Sequence, residues 1–189
     1  AVNDTNDKML KDIQKGIRKD FAAFLATGSG KATGVGLQAA LAQVWGQLQV
    51  IWEDTSVEAV YLMNPLDVAD YLGGAQIVTQ TAFGMSYIEN FLGIGTVILA
   101  SDVPKGKIYA TASENIVLYF VNVTGSDLAQ AFNLTSDTTG LIGIHTGPVY
   151  ENLTSETVAA SGVGLFAENL GGVVIGTITA AEASGTKGK

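Results

Sequence analysis

Residues 57–73 read VEAVYLMNPLDVADYLG, and this stretch sets the class of the fold. Val57–Met63 is apolar and rich in β-forming residues, so it reads as a strand. Asn64-Pro65 follows as an N-cap with proline at the first helical position, and Asp67 favours the first turn electrostatically. Gly73 and Gly74 end that short helix after Leu72. A strand running straight into a capped helix indicates a mixed α and β protein.

Upstream, Leu37 to Glu53 predicts a second helix. Leu41, Val44, Trp45, Leu48, Ile51 and Trp52 form a broad apolar face, and Gln38, Gln43, Gln47 and Gln49 stand where charges are usual. Residues 4–26 predict the longest helix. Met9, Ile13, Ile17, Phe21 and Phe24 recur at steps of three and four, and Asp4–Lys8 and Asp7–Lys11 are i,i+4 pairs in the favourable order. Such a helix is about 34 Å long. Its single apolar face predicts a strut lying along the rest of the protein. Between these two helices, residues 27–36 (TGSGKATGVG) read as a flexible hinge.

Downstream the pattern turns to β from Ile77. Thr96–Ser101 and Lys107–Ala112 read as strands around a turn at Val103-Pro-Lys-Gly106. Asn115–Val123 (NIVLYFVNV) is apolar on both parities, which predicts a central strand buried on both faces. Ser126–Phe132 predicts a short helix with a Ser-Asp cap. Leu141–Val149, Thr157–Ala167 and Val173–Thr179 predict three closing strands, the last two joined by a hairpin-type connection at residues 168–172. Residues 180–189 read as a disordered polar tail. This order predicts an α+β fold with the first helix packed on the final strands.

Composition excludes several functions. The 189 residues carry 10 Lys+Arg against 18 Asp+Glu, a net charge of −8, and charged residues are only 15% of the chain. Soluble domains average about 25%. With 47% hydrophobic residues and a mean hydropathy of +0.30, the chain has apolar surface to spare for other subunits. Cys is absent, so disulfides, thiolate metal sites and cysteine nucleophiles are excluded. Residues 1–31 hold six bases and four acids, so the remainder sums to −10. A body so poor in cations does not suit sequence-specific DNA binding. Apolar runs such as Gly93–Ala100 are too short to span a bilayer. The opening AVNDTNDK has no signal-peptide character and reads as an internal start.

The motifs that could carry chemistry are weak. Gly34-Val-Gly-Leu-Gln-Ala39 matches GxGxxA, but the dinucleotide fingerprint also needs a strand before it, where the pattern predicts a hinge. Gly30-Lys31 fails as a phosphate loop, since Ala32 stands where a Ser or Thr is required. His145, the only histidine, sits in an alternating strand without a nucleophile elbow, and Ser86 lacks the second glycine of one. His145 therefore reads as a hydrogen-bonded structural residue. The acid pairs Glu53/Asp54 and Asp67/Asp70 read as surface. Four Asn-x-Thr sequons, at Asn3, Asn122, Asn133 and Asn152, read as composition. No catalytic, cofactor-binding or metal-binding residue is assigned.

Three segments together resemble the major capsid proteins of tailed bacteriophages, the family with the Hong Kong 97 fold. They are DKMLKDIQKGIRKDFAAFLATG, VEAVYLMNPLDVADYLG and FLGIGTVILASDVPKGKIYATASENIVLYFV, with SETVAASGVGLFAENLGGVVIGTI fitting the closing strands. The resemblance spans residues 4–179 in the expected order. It implies a long spine helix packed on an antiparallel sheet, plus a mixed axial domain. The peripheral-type domain would be residues 1–35 with 138–189, and the axial-type domain residues 36–137.

The resemblance also implies a structural, non-enzymatic role. The partners would be further copies in hexamers and pentamers, scaffold, portal and head-completion proteins, and packaged DNA held without specificity, with no membrane. The site would be the virion shell, assembled in the bacterial host cytoplasm. Family chains carry an N-terminal arm and an extended loop that this sequence lacks, so it reads as a shortened form, and no crosslinking residue is carried over. An encapsulin-type bacterial compartment shares the fold and is the alternative; a small acidic hydrolase using carboxylates is a remoter one.

Overall fold

Asn64 caps as its position predicts: its side-chain oxygen accepts from the backbone N–H of Leu66 at 3.0 Å, and Pro65 opens the helix. The computed structural model describes residues 2–53, 57–73, 79–82, 85–123, 127–137 and 139–180. The described chain is α+β. Its helices are α1 (Val2–Leu25), α2 (Gly36–Ile51), α3 (Pro65–Leu72) and α4 (Asp127–Ala131). Its strands are β1 (Gly30–Val35), β2 (Ala59–Met63), β3 (Gln80–Ala82), β4 (Met85–Ile88), β5 (Thr96–Leu99), β6 (Lys107–Ala112), β7 (Ile116–Phe120), β8 (Thr135–Ser136), β9 (Ile142–Val149), β10 (Thr154–Ser161), β11 (Val163–Ala167) and β12 (Val173–Thr179). Two compact units result, Ala22–Ile116 with Ala167–Lys189, and Ala1–Phe21 with Val117–Phe166.

The first unit is built on a seven-stranded sheet in the order β1-β12-β6-β2-β5-β4-β3. Pairs β1–β12 and β2–β5 are parallel, and the others are antiparallel. All five residues of β2, the middle strand, are buried. Leu37, Ala40, Leu41, Val44 and Leu48 of α2 close one core with Tyr61, Met63, Ile108 and Val174. Each large aliphatic side chain so buried contributes about 1.5–3 kcal/mol.

Beneath the strands a polar staple replaces apolar packing. Buried Asn115 donates from Nδ2 to Thr111 Oγ1 at 2.8 Å and to the Asn169 carbonyl at 2.9 Å, while its Oδ1 accepts from the Asn169 N–H at 2.7 Å. Thr111 in turn donates to the Gly172 carbonyl at 3.0 Å.

The expected hinge at residues 27–36 is corrected here: its second half is strand β1. Gly28 and Gly30 are not flexible spacers. A Cβ on Gly28 would fall 2.5 Å from Val173 Cγ1, and one on Gly30 would fall 2.9 Å from the Val173 carbonyl oxygen. Glycine is required because β12 lies that close, and pairing with β12 satisfies the backbone.

The second unit holds a three-stranded sheet, β10-β9-β8, and α1 as far as Phe21. Strand β7 pairs with β11 alone, in a two-stranded sheet. The central strand expected at 115–123 is therefore corrected: Leu118, Tyr119, Phe120 and Val121 are exposed. The closing strand expected at 157–167 is two strands in different sheets, divided at Gly162, where a Cβ would fall 2.7 Å from Val121 Cγ2. For the same reason residues 168–172 are not a hairpin loop; β11 and β12 belong to different sheets. Along α1 the apolar stripe is half-buried at Met9, Ile13 and Ile17 and buried at Phe21 and Leu25. Ile77, Gly74, Ser126 and residues 181–189 lie outside the described residues.

Candidate functional site

The sequence motifs resolve into structural roles. Strand β1 runs into Gly34-Val-Gly-Leu-Gln-Ala39 and includes its first two residues, so the strand that the sequence pattern did not predict there is present. Its glycines nevertheless have packing duties. Gly36 takes φ +77 where strand becomes helix, and a Cβ on Gly34 would collide with the backbone of Ala39 and Ala40.

The cleft at the start of α2 has a volume of about 430 Å³, and Gly36, Leu37, Asp67, Asp70, Tyr71 and Lys105 line it. Asp67 accepts from the Gly106 N–H at 2.7 Å, and Lys105 pairs with Asp70 at 2.7 Å. Asp70 holds the Lys105 ammonium above its ordinary pKa, first through their hydrogen bond and then through charge. Two carboxylates would repel a phosphate, and the one lysine there is already paired. Each carboxylate is tied to residues 105–106, Asp70 to the Lys105 ammonium and Asp67 to the Gly106 N–H, which gives both a structural role.

His145 lies in β9 opposite Val158 of β10. Its Nδ1 lies 3.1 Å from the Asn133 carbonyl, which only accepts, so Nδ1 carries the proton. Ser86 sits in β4 opposite Thr81 of β3, with no elbow turn. Lys31, in β1, donates to the Gly28 carbonyl at 3.4 Å. Among the described residues no three His, Asp or Glu side chains converge as metal ligands. No described helix is long and apolar enough to cross a membrane.

What the second unit does present is apolar surface. Tyr119 is 63% exposed and stacks on Phe166 with parallel rings 5.2 Å apart. Phe120, Phe132, Tyr150, Leu153 and Val158 are exposed as well. Phe132, Leu134, His145, Val158 and Ala160 line a pocket of about 200 Å³, open to solvent, with almost wholly apolar walls. Gly143 makes room for Leu134, since a Cβ there would press on its Cδ1 at 3.0 Å. Residues 117–166 contain four acids, Asp127, Asp137, Glu151 and Glu156, and no Lys or Arg. This surface was not singled out from sequence. The signal available was NIVLYFVNV itself, together with two large apolar residues in the four-residue turn Tyr150–Leu153.

No protein-family model matches the chain, and no curated protein matches it. Among solved structures, a virus-like particle from Pyrococcus furiosus is similar with a TM-score of 0.48 and 12% identity, over 85% of this chain and 62% of that one. The holo-SrpI encapsulin complex from Synechococcus elongatus PCC 7942 is similar with a TM-score of 0.44 and 17% identity, over 77% of this chain and 51% of that one. The chain thus spans less than two thirds of the length of either.

Proposed function

We propose that this chain is a shell-building subunit, the major head protein of a tailed phage or prophage, which associates with copies of itself around packaged double-stranded DNA. The observation that carries the reading is β7. Leu118, Tyr119, Phe120 and Val121 are consecutive, apolar on both faces and exposed in the single chain. Contiguous exposed apolar surface marks association with protein or membrane. A segment with four acids and no cation is not drawn to an anionic bilayer, which leaves protein. The ordered sequence resemblance supports a second copy as that protein.

The two-domain division belongs to the same proposal. Residues 1–35 with 138–189 are taken as the peripheral type, and residues 36–137 as the axial type. Scaffold, portal and head-completion proteins would be the further partners, and the host cytoplasm the place of assembly. An encapsulin-type compartment differs in enclosing protein cargo, so the contents of purified particles separate the two readings.

The test is the molar mass of the chain by light scattering across protein concentration, beside the double variant Tyr119→Lys/Phe120→Lys. The parent should give large assemblies, and the variant should stay monomeric and folded, its stability lowered only by about 0.5–1.5 kcal/mol for the lost Tyr119–Phe166 stack. A parent that stays monomeric, or a variant that assembles equally, overturns the reading.

A further inference from the structure

Turn Tyr150–Leu153 closes the β9–β10 hairpin, whose register pairs Val149 with Thr154. Leu153 in this turn is 91% exposed and adopts φ +56, the left-handed region. Both features are unfavourable for leucine: glycine or asparagine accepts that backbone more readily, and a polar side chain suits water. Asn152 already braces the turn by accepting from the Thr154 N–H at 3.3 Å, so the fold does not need leucine at 153. On the same sheet lies the open apolar pocket of about 200 Å³ lined by Phe132 and Leu134. Its volume exceeds the roughly 150 Å³ that a benzene-sized group occupies, so it has room for a leucine side chain.

We propose that Leu153 of one copy seats in the Phe132/Leu134/His145/Val158/Ala160 cavity of a neighbouring copy, forming a head-to-tail contact between shell subunits. The proposal rests on the self-assembly reading and names which surfaces of the second unit meet. A chain does not fill its own cavity, because Leu153 immediately precedes β10 and Ala160 lies seven residues along it, about 23 Å away.

The occupant is a second copy because the chain itself carries the projecting leucine that the pocket accommodates. The exposed parts of Tyr119, Phe120, Phe132 and Tyr150 amount to roughly 500 Å², taking about 200 Å² for a whole aromatic side chain. Leu118, Val121, Leu153 and Val158 bring both patches together to roughly 900 Å², the total that one such contact buries, which is the size of a weak contact whose repetition around a ring or lattice adds up. Projection and cavity are different patches, so the contact is heterologous and closes into rings or continues as a lattice, as a shell requires.

Absence of native cysteine makes the test clean. In the double variant Leu153→Cys/Ala160→Cys the two thiols cannot meet within one chain, since a disulfide needs Cα atoms within about 7 Å. Mild oxidation of the assembled variant should give a ladder of covalent dimers, trimers and higher oligomers on a non-reducing gel. Each single variant should give no species beyond a dimer. As a second arm, Leu153→Asp and the cavity-filling Ala160→Phe should each fail to assemble, and a 1:1 mixture should form a heterodimer through the one intact contact.

Particles without a ladder, or Leu153→Asp assembling like the parent, overturn this contact and leave self-assembly standing. A parent that never assembles overturns both.

Discussion

The carboxylate of Asp67, in the first turn of α3, accepts the backbone N–H of Gly106 at 2.7 Å, thirty-nine residues away. Asn64 Nδ2 makes a parallel tie to the Val103 carbonyl at 2.8 Å. Gly106 needs its φ of +82 to offer that N–H, so cap, helix and turn form one mutually dependent unit. Asp67 is buried, and Asp67→Ala leaves the Gly106 N–H without its partner. A loss of about 1–3 kcal/mol is expected, read as a lower urea midpoint with an unchanged slope.

The Asn115 staple should be costlier to cut. Its amide serves two acceptors and one donor in a buried place. Asn115→Ala should destabilise by at least the ~1–3 kcal/mol of one orphaned polar group, and Asn115→Asp should not rescue it, because a carboxylate cannot donate to Thr111 and the Asn169 carbonyl. Thermal melts of the two variants beside the parent test this; a melting temperature for Asn115→Asp equal to the parent's would contradict the hydrogen-bond assignment.

Gly34→Ala probes the meeting of β1 and α2. The added methyl collides with the backbone of Ala39 and Ala40, which has no side-chain freedom to yield. Overpacking costs typically about 1–3 kcal/mol. If residues 27–36 were a loose hinge, the same substitution would stabilise slightly by stiffening the unfolded chain. The sign of the change in melting temperature separates the two accounts.

Alkaline stability depends on Tyr61, which is fully buried and donates its hydroxyl to the Ile94 carbonyl at 3.2 Å. Burial pushes its phenol well above the ordinary value of 10.0. The unfolded chain therefore releases this proton first as pH rises. The stabilisation is complete below about pH 10 and declines above it, because the folded form is then the one holding the extra proton. The melting temperature should fall above that pH. It should fall less steeply in Tyr61→Phe, which starts about 0.5–1.5 kcal/mol lower for the lost hydrogen bond.

Local signals in the sequence were legible where they had local causes. The Asn64-Pro65 cap, the α2 stripe, and strands β6 and β12 lie where the pattern places them, because capping and alternation are set by near neighbours. Strand β1 was illegible because glycine looks the same whether it frees the backbone or makes room for a neighbouring strand 144 residues away. Gly162 hid the break between β10 and β11 in the same way.

Strand β7 taught the most. Its apolar residues on both parities report a strand, but periodicity does not say whether its faces are buried, and here Leu118, Tyr119 and Phe120 lie exposed. The surface gathered from Phe132, Leu153 and Val158 was invisible for a related reason, since it is assembled by tertiary structure from a turn, a loop and a strand.

Negative-stain electron microscopy of the purified chain at high concentration, over a range of salt and pH, tests the central claim most directly. The account predicts closed shells of uniform size or rings of five and six subunits. A field of single small particles under every condition would contradict it.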